Sequence, residues 1–137
     1  MRKVILLISA IQLIINVPLL GQSAYTPTKG SAERKAILDT LRQRVEQLHH
    51  LKVIFGVTYL KVNNGWAWVE TSPRSPDGKS HYEAIAALMN MNKKDCLWKV
   101  VELACTEEDN PDCLGNPSFF NKLRSRFPEA PTDIFPR

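Results

Sequence analysis

In "SAERKAILDTLRQRVEQLHH" the apolar positions Ile37, Leu38, Leu41, Val45 and Leu48 recur at three- and four-residue intervals. That spacing places them on one stripe of an amphipathic helix. Ser31 is a good N-cap, and Glu33 lies in the first turn, where the helix dipole favours an anion. Lys35 with Asp39 and Arg42 with Glu46 are each four apart on the wet side and add small support. His49 and His50 close the segment, where an imidazolium complements the dipole and adjacent helical side chains point apart. The period then changes. Val53 to Val62 is dominated by β-branched and aromatic residues, and "NNG" (Asn63 to Gly65) is a hairpin turn signal. Trp66, Trp68 and Val69 begin the return strand. "SPRSPDGKS", with Pro73, Pro76 and Asp77-Gly78, is expected to end regular structure from Ser72.

Glu83 to Met91 is ambiguous. Its alanines, leucine and methionines suit a short helix, but no clear cap or stop frames one. "NKKD" (Asn92 to Asp95) reads as a tight turn and "LWKVVELA" beyond it as a strand, so a second hairpin is expected. In the tail, Pro117-Ser118 starts a short helix that ends before Pro128, with Phe119, Phe120, Leu123 and Phe127 on its buried side. This order predicts an α+β domain: an N-terminal amphipathic helix packed on a roughly four-stranded antiparallel meander, then a short C-terminal helix.

The first residues, "MRKVILLISAIQLIINVPLLGQSAYTPTKG", combine Arg2 and Lys3, an apolar run from Val4 to Leu20, and the small residues Gly21, Ser23 and Ala24. That is the order of a secretory signal peptide. Cleavage after Ser23 places Gly21 and Ser23 at the small-residue positions; cleavage after Ala24 is the close alternative. The run is also near the lower limit for an uncleaved anchor, although Asn16 and Pro18 interrupt its end. The expected organisation is a signal peptide over 1–23, a flexible leader over 24–30 and a single domain over 31–137. The chain carries a net charge of +4, which drops by two when Arg2 and Lys3 leave. The remaining cations are scattered among acids without a basic face, so nucleic acid is excluded as a partner. After signal removal no membrane contact is expected.

"CTEEDNPDC" holds Glu107, Glu108, Asp109 and Asp112 between Cys105 and Cys113. Cysteines of an exported chain are expected to oxidise. Cys96 and Cys105 stand at opposite ends of the "LWKVVELA" strand, too far apart to pair. Cys105 and Cys113 are therefore the expected disulfide, with Pro111 helping the turn and Cys96 left over. The acids lack the alternation, central glycine and terminal glutamate of an EF-hand loop, so no metal is expected there. C-x-x-C, nucleophile elbows and glycine-rich phosphate loops are absent, and no cofactor is implied. Candidate acid–base residues are His81, Tyr82 and Glu102. Trp66 and Trp68 share a strand face, either as a binding platform or, more commonly, as packing.

The segment "GSAERKAILDTLR" at Gly30 to Arg42, with "GWAWVE" and "ALMNMNKKDCLWKVVELA", resembles a family of small exported bacterial proteins of unknown function. The resemblance covers most of the chain beyond the signal. It implies export and an α+β shape similar to cystatin-like and nuclear-transport-factor-2-like folds, and it brings no catalytic residues. The resemblance supplies no function, and a compact, signal-bearing chain without a catalytic constellation leaves two expected functions. The first is a non-catalytic exported domain binding a protein or small ligand in the cell envelope. The second is a small cone-shaped α+β enzyme with an acid–base pocket around His81.

Overall fold

A computed structural model describes residues 22–107, 110 and 112–137. The expected signal peptide through residue 21, and Glu108, Asp109 and Pro111 of the acidic loop, lie outside the described residues. The elements are α1 (Ala32–His49), β1 (Ile54–Asn63), β2 (Trp66–Arg74), β3 (Ile85–Met91), β4 (Trp98–Ala104), α2 (Phe119–Arg126) and a 3₁₀ turn, Thr132–Ile134. The strands form one antiparallel sheet of four in the order β1-β2-β3-β4, so the chain is α+β and the helix alternative for Glu83 to Met91 does not hold.

The start of α1 is as its sequence dictates: the Ser31 hydroxyl accepts a hydrogen bond from the Arg34 N–H at 3.2 Å. Its end is less usual. His50 takes a left-handed conformation (φ 52°) and donates its N–H to the Glu46 carbonyl, the geometry that commonly falls to glycine. Ile37, Leu41 and Val45 are buried against the sheet, while Leu48 is 45% exposed because it lies past the point where the helix meets the strands. Arg42 does not pair with Glu46. It bonds Asp39 at 2.7 Å and lies over the Phe55 ring, and Glu46 instead accepts from the Val53 N–H at 3.4 Å.

Both sheet faces are covered. On one side α1 packs on Leu60, Val62, Ala67, Val69, Ala87 and Met89. On the other, α2 and the C-terminal segment pack Phe119, Leu123, Ala130, Ile134 and Phe135 around Trp68, Ala86 and Leu88. Consecutive residues of β2 and β3 thus alternate between two apolar layers, which is why "AALM" reads as an unbroken apolar run rather than as alternation. Burying a Leu, Phe or Met side chain is worth about 1.5–3 kcal/mol, so both layers contribute substantially.

Two irregularities keep each face consistent. Val57 pairs with Thr71 but Tyr59 pairs with Glu70, leaving Thr58 as an extra residue. Phe55 and Val57 therefore share the α1 face with Leu60 and Val62, although their spacing breaks strict alternation. In β4, Val101 is the extra residue between Val100 and Glu102. It packs on the α2 face while Val100 and Leu103 pack beneath α1.

Regular structure does not stop at Ser72. β2 continues through Pro73, which pairs with Phe55. The Pro73 carbonyl accepts from the Tyr82 N–H. Neighbouring N–H and C=O groups of a strand residue point the same way, so the missing N–H is turned from β1 towards a side where the ladder thins to a bridge. The leader is also held down rather than loose. Tyr25 exchanges backbone hydrogen bonds with Val62 at 3.0 and 2.8 Å, and the Thr26 hydroxyl donates to the Leu60 carbonyl. β1 is an edge strand, and these contacts satisfy part of its open ladder.

Candidate functional site

α1 and the sheet close tightly along most of their length, and the space between them is filled by the Ile37, Leu41 and Val45 side chains. At one end they part. There the last turn of α1, the start of β1 and β3, and the ends of β2 and β4 surround a cleft of about 370 Å³. Its walls include Val45, Leu51, Val53, Pro73, Ile85 and Leu103, of which Val45, Val53, Ile85 and Leu103 belong to the α1-side core. Polar groups stand at the mouth: His49 from α1, Tyr82 and Glu83 before β3, and Thr106 and Glu107 after β4. An apolar floor with a few polar groups around the opening is the usual form of a small-ligand site. A larger hollow of about 650 Å³ sits at the opposite end among Asn64, Trp66, Asn90, Lys93 and Glu129. Its lining is mostly polar side chains, with Trp66 and Met91 the large apolar members, so its floor is less apolar than that of the first cleft.

The three acid–base candidates do not converge. Tyr82 lies in the cleft wall and packs against the α1-side core. His81 is exposed and pairs as a bridge with Arg74. Glu102 opposes Leu88 in β3, which belongs to the α2-side core, and accepts a two-point bond from Arg126 at 2.7 and 2.9 Å. It is therefore across the sheet from Tyr82. Trp68 has no face to offer a ligand: it is fully buried, ringed by Phe119, Phe120 and Phe135, and donates its indole N–H to Glu70 at 2.8 Å. Trp66 is half-buried, with its ring 6.3 Å from that of Phe127.

The disulfide between Cys105 and Cys113 is present, with Cα atoms 4.7 Å apart. Cys113 is fully buried, and the Cys105 carbonyl accepts from the Leu114 N–H. The bridge pulls the α2-side chain against the rim of the cleft, since Cys105 itself lines it. Of the loop acids that are described, Glu107 accepts from the Asn110 amide and Asp112 is exposed and paired with Lys122 at 2.7 Å. That ammonium holds the Asp112 carboxyl below the usual range. Among the described residues, no group of three or more His, Cys, Asp or Glu is arranged to hold a metal, and no helix is long and apolar enough to cross a membrane. Cys96 is exposed and free.

His49, Leu51 and Leu103 were not singled out as site residues by sequence. The available signal was Leu51, an apolar residue between the helix stripe and the strand segment that begins at Val53, which neither pattern uses. No protein-family model, curated protein or solved structure matches this chain.

Proposed function

We propose that this is an exported, non-catalytic domain that binds a small ligand, or one apolar side chain of a protein partner, in the cleft at the open end of α1. The cleft carries the reading: a core-continuous apolar floor opens to solvent beside Tyr82, His49 and two carboxylates, Glu83 and Glu107. That lining favours an apolar body with a basic head. The Cys105–Cys113 disulfide suits an oxidising compartment, and the Met1 to Ala24 pattern suits export. The resemblance of Gly30 to Arg42 to small exported bacterial proteins points the same way. A cone-shaped enzyme has less support, because Tyr82 lines the cleft without His81, and Glu102 lies across the sheet.

Calorimetric titration with tryptamine, an indole bearing an ammonium, tests the reading against indole-3-propionate, which reverses the head charge. Saturable tryptamine binding, at least several-fold tighter than the propionate and lost in Ala84→Trp, is expected. Ala84 is an exposed wall residue, so the indole plugs the cleft without disturbing the core. Equal binding by Ala84→Trp, or none by the unaltered protein, overturns the reading.

A further inference from the structure

The described chain begins with a knot that the fold alone does not require. The Ala24 N–H donates to Asp133 Oδ2 at 2.9 Å, joining residues at opposite ends of the sequence. The Asn63 side-chain amide donates to Asp133 Oδ1 at 3.0 Å and to the Gln22 carbonyl at 2.8 Å. Asn63 is itself buried, so the carboxylate is held in place by a group that cannot swing away. Ser23 and Ala24 lie against a hollow shared by Tyr59, Lys61, Asp133, Phe135 and Arg137.

We propose that the Ser23–Ala24 peptide bond is the processing site, and that the α-ammonium freed on Ala24 docks on the Asp133 carboxylate. This rests on the export reading above. An export peptidase adds water across the amide: the Ser23 carbonyl carbon takes the hydroxyl and departs as a carboxylate. The Ala24 nitrogen takes both protons of the water, one directly and one shed by the new carboxylic acid, and remains as an ammonium.

The geometry separates the two cleavage positions that the sequence left open. A cut after Ser23 converts an existing N–H···O bond to the Asp133 carboxylate into an ammonium–carboxylate ion pair at the same atom. A cut after Ala24 removes the residue that bonds Asp133 and places the new ammonium on Tyr25, whose nitrogen faces the Val62 carbonyl. The bond from Asn63 to Gln22 is lost on processing, but Asn63 retains Asp133. Already as an acceptor from Asn63, and to a smaller extent from Ala24, the Asp133 carboxyl is held below its ordinary range. Lys61 and Arg137 also face the hollow and oppose the ammonium, so Asp133 has to outweigh them.

The full chain is expressed in an exporting bacterial host, the exported product is weighed intact, and its α-amino group is titrated by NMR. The product should begin at Ala24. Its α-amino group should titrate about one unit above the ordinary 7.7–8.0, a tenfold tighter hold on the proton. Because the folded value is raised, this stabilisation is present below about pH 8 and lost as pH rises through the folded value. Asp133→Asn, and separately a glycine inserted ahead of Ala24, should each remove the pH dependence. An exported product starting at Tyr25, or an Ala24 α-amino group in the ordinary range, overturns the proposal while leaving export intact. An exported product that still carries Met1 overturns the proposal in favour of an uncleaved anchor, whereas a chain that stays in the cytoplasm overturns the export reading, and the proposal with it.

Discussion

Tyr25 illustrates how far a single contact can move a side chain's chemistry without burying it. Its hydroxyl donates to Glu33 at 2.6 Å, and that bond, with some desolvation and the glutamate charge, pushes the phenol up to about 12. The folded value exceeds the unfolded value of about 10, so the contact supports the fold below pH 10 and is lost as pH rises from 10 towards 12. Tyr25→Phe should flatten the alkaline limb of the stability curve, read by thermal melts between pH 9 and 12; an unchanged limb contradicts the assignment. Glu33 was legible as a first-turn anion. Its partner was not, because Tyr25 reaches it only once the leader is pinned along β1. The same applies to Arg42, whose choice of Asp39 over Glu46 depends on Phe55 lying beneath its guanidinium.

β3 shows where element-level reading succeeds and where it strains. "AIAALMNM" looks helical by composition, and the turn that follows decided for a strand. The confusion has a physical origin. A strand buried on both faces has no polar alternation, and Ala86, Ala87, Leu88 and Met89 are each buried, on alternate sides of the sheet. The bulge at Thr58 was invisible for a related reason: one extra residue has no signature in residue type, only in the parity of its neighbours. That parity is testable. Deleting Thr58 removes the extra residue and restores strict alternation, so Phe55, Val57, Leu60 and Val62 all keep the α1 face. Urea unfolding should therefore show a loss smaller than that of expelling one apolar side chain, less than about 1.5 kcal/mol. A loss of roughly 3 kcal/mol or more would mean that the bulge itself holds the packing and would contradict the parity argument.

The whole molecule is a sheet between two unequal covers, and the uneven cover creates the cleft. α1 supplies Ile37, Leu41 and Val45 to the core but leaves Leu48 and Leu51 partly exposed at its end. Nothing in the linear sequence says where a helix stops covering a sheet, so the layers were readable and the hollow was not. The disulfide was readable because an intact β4 separates Cys96 from Cys105. Its position on the cleft rim was not, because it depends on which sheet end β4 reaches. Closing a loop with a sequence separation of eight stabilises by about 2.5 kcal/mol on the chain-entropy model. Cys105→Ser with Cys113→Ser should lower urea stability by about that amount and weaken tryptamine binding, whereas unchanged stability would make the bridge decorative. The central claim is that ligands enter at the end of α1. The most direct check is intermolecular NOE contact between bound tryptamine and the methyl groups of the isotope-labelled protein. Contacts to Val45, Leu51, Ile85 and Leu103 are predicted; contacts confined to the far end, around Met91 and Leu97, would contradict the account.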